Sequence, residues 1–180
     1  MGFREASDEQ LARRAAKGDG SAFELLVRRH QEAAWRYTTS LLGSADEAEE
    51  AVQEAFLRAF RGIASFRGRS TFRTWLFTIC RRAAIDVAAR RRNVVPLERA
   101  QNLRQVEGSV EDRHVIAETL AVMPAEERAA FVLVDVLGFS REEAADAEGV
   151  PASTLKSRLY RSRDRLARAL EATEMRGEMR

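Results

Sequence analysis

The sequence predicts an all-α protein made of two small helical domains joined by a flexible linker. Three observations carry this. Apolar residues recur at helical spacing nearly throughout, and no alternating stretch is long enough for a strand. The composition is rich in Ala, Leu, Glu and Arg, with only 3 Pro and 10 Gly in 180 residues, which favours helix over sheet. The stretch from about Asn93 to Gly108 is polar, weakly periodic and bracketed by Pro96 and Gly108, as a linker would be. The length itself allows one medium domain or two small ones.

Taken in order, a short helix is expected near Asp8 to Ala16. Ser21 to Glu24 reads as a capping box opening a second helix, with Phe23, Leu26, Val27, His30, Ala34, Tyr37 and Leu41 along one face. Ser44 to Glu47 is a second capping box. After it, Ala48, Ala51, Val52, Ala55, Phe56, Ala59 and Phe60 continue the period as far as Gly62. A loop from Gly62 to Ser70 leads into a helix carrying Phe72, Trp75, Leu76, Ile79, Ala83, Asp86 and Val87. It runs out in Arg90 to Asn93, ahead of a Val95-Pro96 pair that disfavours helix. These four helices can bury one core. Beyond the linker, Glu111 to Met123, Pro124 to Leu137, Ser140 to Ala147 and Pro151 to Leu170 read as four more helices. This second domain, of about 70 residues, is near the lower limit for a self-standing core. The mixed-charge tail after Leu170 is expected to fray.

Several classes of protein are disfavoured. No apolar run approaches the ~20 residues of a membrane crossing, and the N-terminus lacks the apolar core of a signal peptide, so the expected location is the cytoplasm. The single cysteine, Cys80, forms no disulfide framework and reads as a small core residue. His30 and His114 stand on separate helices without a paired ligand, so no metal site is expected. There is no phosphate loop or nucleophile triad, and neither catalytic residues nor cofactors are expected.

The formal net charge is only +2, but the charges are segregated. Between Arg67 and Arg92 stand eight arginines and one acid, Asp86. Between Ser153 and Leu170 stand six basic residues and one acid, Asp164. Asp46 to Glu54 holds five acids and no base, and Glu98 to Glu127 is acidic on balance. Two basic blocks separated by acidic ground suit polyanion contact at two places. In the first block Phe66, Phe72, Trp75 and Phe77 are interleaved with the arginines. Such a surface suits unpaired bases, although Phe72, Leu76 and Ile79 also have the spacing of core residues.

In the second block, Ala145, Gly149 and Leu155 have the spacing of a helix-turn-helix: a small residue where the helices touch, a glycine at the left-handed turn, and an apolar anchor. Ser140 can cap the first helix, and Pro151 suits the first turn of the second. The second helix then shows Lys156, Ser157, Tyr160 and Arg161 to one side, with Leu155, Leu159 and Leu166 to the other. In a major groove, Arg or Lys reads guanine and a Tyr ring touches a thymine methyl.

With these motifs in hand, the chain resembles the extracytoplasmic-function (ECF) subgroup of bacterial RNA polymerase sigma factors. The resemblance rests on Ala48 to Phe56 (AEEAVQEAF), on Trp75-Leu76 followed by Ile79 and Ile85-Asp86, on the Arg90 to Arg92 run, and on Leu155 to Arg161 (LKSRLYR). It implies region 2 over residues 1–92, a linker over 93–110, region 4 over 111–172 and a tail over 173–180. It also implies that Glu49, Glu50, Gln53 and Glu54 dock on the coiled coil of the largest polymerase subunit, with a further contact at the polymerase flap. Phe66, Arg67, Trp75, Arg81 and Arg82 would melt and hold the −10 element, the loop from Ser65 to Ser70 capturing a flipped base. Lys156, Ser157, Tyr160 and Arg161 would read the −35 element, with Thr154 and Arg158 on neighbouring phosphates. The linker would thread the polymerase, and an anti-sigma factor would hold the free protein. No catalysis is implied.

The chain departs from the family pattern in several places. Arg82 stands where Asn is usual, and Glu50-Ala51 where Asp-Leu is usual. Ala144-Ala145 replaces Ile-Ala before the turn, and Glu148 replaces Leu before the glycine. Two large apolar groups are thus missing from a small core, worth about 2–5 kcal/mol if nothing compensates. The second domain is then either marginal alone or leans on a partner. A stand-alone helix-turn-helix regulator is the alternative reading, but it would have no use for the Trp75 and Arg82 block.

Overall fold

The computed structural model describes residues 6–91 and 110–178, and among them it contains eight α-helices and no strand. In the first domain α1 spans Asp8–Ala15, α2 Gly20–Leu42, α3 Ala45–Gly62 and α4 Phe72–Arg91. In the second, α5 spans Val110–Val122, α6 Ala125–Phe131, α7 Arg141–Glu148 and α8 Ala152–Glu178. The expected linker, apart from Val110, lies outside the described residues, as does Arg92.

The first domain closes around Leu11, Leu26, Tyr37, Phe72, Leu76 and Phe77, all fully buried. The inward stripe of α3 is Ala48, Ala51, Ala55 and Ala59, each fully buried, so α3 can approach α2 and α4 closely. The same period misplaces Phe60, which is 56% exposed and meets the core residue Phe23 edge to face, with ring centres 5.1 Å apart. The cap of α2 also differs from expectation. Asp19, not Ser21, accepts from the Ala22 N–H at 3.1 Å, because Gly18, at φ 94°, turns the chain before Asp19 and Arg14 holds the Asp19 carboxylate at 2.7 Å. The Ser44 cap of α3 is present, and α1 has a full capping box from Ser7 and Gln10.

The expected helix from Pro124 to Leu137 is α6 followed by a π-helical turn, Val132–Val136. This wider turn ends in Gly138, at φ 69°, and delivers Phe139 into the core. Meanwhile α8 continues well past Leu170, since no residue before Gly177 breaks it, and the tail expected from residue 173 is helical as far as Glu178.

The two domains pack on each other and share one apolar core. Phe77 of α4 lies 4.9 Å from Phe139, ring centre to ring centre. Arg73 stacks its guanidinium 3.8 Å over the Phe139 ring and donates to the Leu137 carbonyl at the end of the π turn. In return Arg128 of α6, itself buried, donates to the Ser40 carbonyl at the end of α2 (2.5 Å) and to the Leu120 carbonyl near the end of α5 (2.8 Å). Each domain thus supplies an arginine to carbonyls that the other domain's helix ends leave unpaired.

Candidate nucleic-acid interface

The turn between α7 and α8 has the geometry its spacing predicts. Ser140 accepts from the Glu143 N–H while Glu143 bonds back to the Ser140 N–H, so α7 starts with both ends of a capping box closed. Gly149 ends α7 at φ 62°, where a side chain would be strained. Ala144, Ala145 and Leu155 are buried at the crossing, and Leu159 and Leu166 continue the inner side of α8.

On the outer side, Lys156 and Ser157 are exposed and Tyr160 is 72% exposed. These three lie within about one helical turn and share a face open to a ligand. Arg161 follows on the same side, but it shares Glu127 with Arg165, at 2.7 and 3.1 Å. Glu127 is itself buried, so it tethers Arg161 beside the exposed face of Lys156, Ser157 and Tyr160. Thr154 is half-buried at the start of the helix. Arg158 points the other way. Its side chain is only 15% exposed and donates to the Glu148 carboxylate at 3.1 Å.

The basic and aromatic block of α4 divides similarly. Phe72, Leu76 and Phe77 are core, while Ile79 is only half-buried. Phe66 and Trp75 form a half-buried aromatic ledge, with ring centres 5.3 Å apart, and Phe66 meets Phe72 edge-on at 6.0 Å. A 3-10 turn, Ile63–Ser65, anchors the loop through buried Ile63 and leads into that ledge. Arg67 is exposed and donates to the Ala64 carbonyl, and Arg82 is exposed on α4. Arg81 is half-buried and faces the second domain, its Nε 3.4 Å from the Glu148 carboxylate.

The acidic face of α3 is a third surface. Glu49, Glu50 and Gln53 are exposed, with Glu54 half-buried. Glu50 pairs with Arg90 at 2.9 Å, and Glu54 pairs with Arg58, which also reaches Asp86 at 2.6 Å. Leu57, 51% exposed, continues this face one turn beyond Gln53. It is an apolar element that charge counting missed. Also missed were the pinning roles of Arg73, of Arg128, and of Tyr37, whose hydroxyl donates to Glu148 Oε1 at 2.5 Å across the domains. The one available signal was Glu148, a carboxylate where the pattern calls for leucine.

Residues 26–94 match the family described as Sigma-70 region 2, and residues 113–166 match Sigma-70, region 4. The chain is 36% identical over 171 residues to the ECF RNA polymerase sigma factor SigM of Mycobacterium tuberculosis, covering 94% of this chain and 87% of that one. The chain belongs to the ECF sigma factors. A second relative, the ECF RNA polymerase sigma-E factor of Escherichia coli K12, is 34% identical over 175 residues, covering 88% of this chain and 91% of that one. Two solved structures resemble the whole ECF sigma fold described here. CnrH, solved with the cytosolic domain of CnrY, has a TM-score of 0.69 at 28% identity and covers 92% of this chain and 97% of its own. RpoE of Bartonella quintana, solved with the anti-sigma factor NepR, has a TM-score of 0.70 at 30% identity and covers 83% and 96%. As an ECF sigma factor, the protein serves RNA polymerase in promoter-specific initiation. None of its described helices is long and apolar enough to cross a membrane.

Proposed function

We propose that this sigma factor engages its promoter through two surfaces and its polymerase through a third. Region 2 is residues 1–92 and region 4 is residues 111–172, with 93–110 threading the polymerase between them. On α8, Lys156, Ser157, Tyr160 and Arg161 read the −35 element, and Thr154 and Arg158 hold adjoining phosphates, Arg158 exchanging its Glu148 pair for one. On α4 and its preceding loop, Phe66, Trp75, Arg67, Arg81 and Arg82 receive the separated −10 strand. Stacking on such a ledge is worth roughly 1–3 kcal/mol per base, enough to offset a flipped nucleotide. The α3 face, Glu49, Glu50, Gln53 and Glu54, docks on the coiled coil of the largest subunit, and region 4 meets the flap. The protein performs no catalysis and needs no cofactor, works in the cytoplasm, and is held in reserve by an anti-sigma factor, as the RpoE relative is bound by NepR.

The observation that carries this reading is the exposed Lys156, Ser157 and Tyr160 face on the second helix of a well-capped helix-turn-helix, in a chain that also bears the Phe66 and Trp75 ledge. A duplex-only regulator has no use for the ledge. Transcription in vitro with purified core polymerase tests it: promoter-dependent initiation is expected. Tight duplex binding by the free protein, with no initiation from any candidate promoter, would overturn it in favour of a stand-alone regulator.

A further inference from the structure

A glutamate at the third position of a helix commonly turns back to the N–H of the residue that caps it. In α6 the cap is Pro124, which has no N–H to give, so the carboxylate of Glu127 is free to leave its own helix. It crosses to α8. Arg161 Nε donates to Glu127 Oε1 at 2.7 Å, and Arg165 Nε donates to Oε2 at 3.1 Å. The Glu127 side chain is 9% exposed, whereas those of Arg161 and Arg165 are 52% and 51% exposed. The acid is therefore the anchored end of each pair, and the guanidiniums reach outward from it. Both arginines are held through Nε, which leaves the donors on their two terminal nitrogens for a ligand. Those nitrogens form the fork that fits O6 and N7 of guanine. An arginine otherwise samples many rotamers, and fixing it before DNA arrives removes part of the ordering cost of binding.

We propose that Glu127 is a specificity-determining residue of the −35 contact: without touching DNA, it presents the terminal fork of Arg161 to a single base pair. This rests on the promoter-binding reading above, in which Arg161 contacts a base. Glu127 then has two effects of opposite sign. Its carboxylate, close to the groove, opposes the phosphate backbone and weakens binding to any sequence. By holding Arg161 in one orientation it sharpens the choice between sequences. Arg165, one turn further along α8, takes the second oxygen and keeps the carboxylate from swinging away.

The test uses holoenzyme assembled from core polymerase and the full chain, with promoter variants carrying every base at each −35 position in competition. Arg161→Ala first marks the position that Arg161 reads. Glu127→Ala should lower discrimination at that same position about three- to tenfold, leave the other positions as in the wild type, and tighten binding to an unrelated duplex at low salt. In the Arg161→Ala background it should cause no further loss there, as two residues acting through one contact require. An unchanged preference would overturn the positioning role. So would a loss spread evenly over all positions, the result expected of simple packing between α6 and α8. Should Glu127→Ala lose helix by circular dichroism, Glu127→Asp decides alone, because it keeps the charge and withdraws the acceptor by one methylene. If Arg161→Ala changes no base preference, the promoter reading falls and the positioning role with it. If it relaxes one position that the Glu127 variants leave sharp, only the positioning role falls.

Discussion

Asp8 opens α1 and binds two side chains from α2: His30 Nε2 at 2.6 Å and the Arg29 guanidinium at 2.8 Å. The hydrogen bond with His30 is the largest influence on its carboxyl, which is lowered to about 2 against the opposing effect of burial. A depressed carboxyl stabilises the fold above its unfolded value of about 4, and the stabilisation is lost as pH falls toward 2. Asp8→Asn should therefore cost about 2 kcal/mol in urea unfolding at neutral pH, with the gap from wild type closing between about pH 4 and pH 2. Cys80 is fully buried on α4, and burial pushes its thiol up to about 12. It should resist Ellman's reagent in the native protein and react fully once the chain is unfolded; rapid native labelling would contradict its placement. Both residues were partly legible in the sequence. Cys80 read correctly as core, but the partner of His30 lies 22 positions away and no local pattern announces it.

At the level of elements, the helix-turn-helix is where sequence was most informative, because its caps, its glycine and its anchor are local chemistry. Gly149→Ala has open space for the added methyl, so its cost is purely that of a left-handed backbone, about 1–2 kcal/mol by thermal or chemical unfolding. A larger loss would mean that the turn also depends on contacts absent from the structure. On α8, Arg161→Ala should relax base preference in the −35 element by about 1–3 kcal/mol while leaving polymerase binding intact, as measured by competition between promoter variants. Glu127 would keep Arg165 as a partner, so the helix should stay in place. Periodicity was less reliable where a helix has two useful faces. Phe60 kept the apolar spacing of α3 yet stands 56% exposed, because the four alanines already fill the inward stripe. The π turn after α6 was illegible, since a run of apolar residues reads alike for either helix.

For the whole molecule, the decisive contacts join residues far apart in sequence: Tyr37 with Glu148, Ser40 with Arg128, Arg73 with Leu137. Charge blocks located the candidate surfaces without showing how the domains meet, because Arg73 and Arg81 counted as ligand-facing and are turned toward the interface, while Arg158 is turned onto Glu148 within its own domain. The sequence left only one trace of this, an acid in an apolar slot. Arg128→Ala should cost about 3 kcal/mol, since it strips a buried cation from the carbonyls of Ser40 and Leu120. Calorimetry should then split one unfolding transition into two, and a single unshifted transition would show that the domains do not depend on this arginine. The reciprocal capping by Arg73 and Arg128 also bears on how such proteins can be recombined. A chimera joining this first domain to a second domain that lacked Arg128 and Phe139 would leave the Ser40 carbonyl without its donor and the Phe77 pair half-built. The two modules fit as a matched pair, and exchanging one alone breaks the seam unless these residues travel with it.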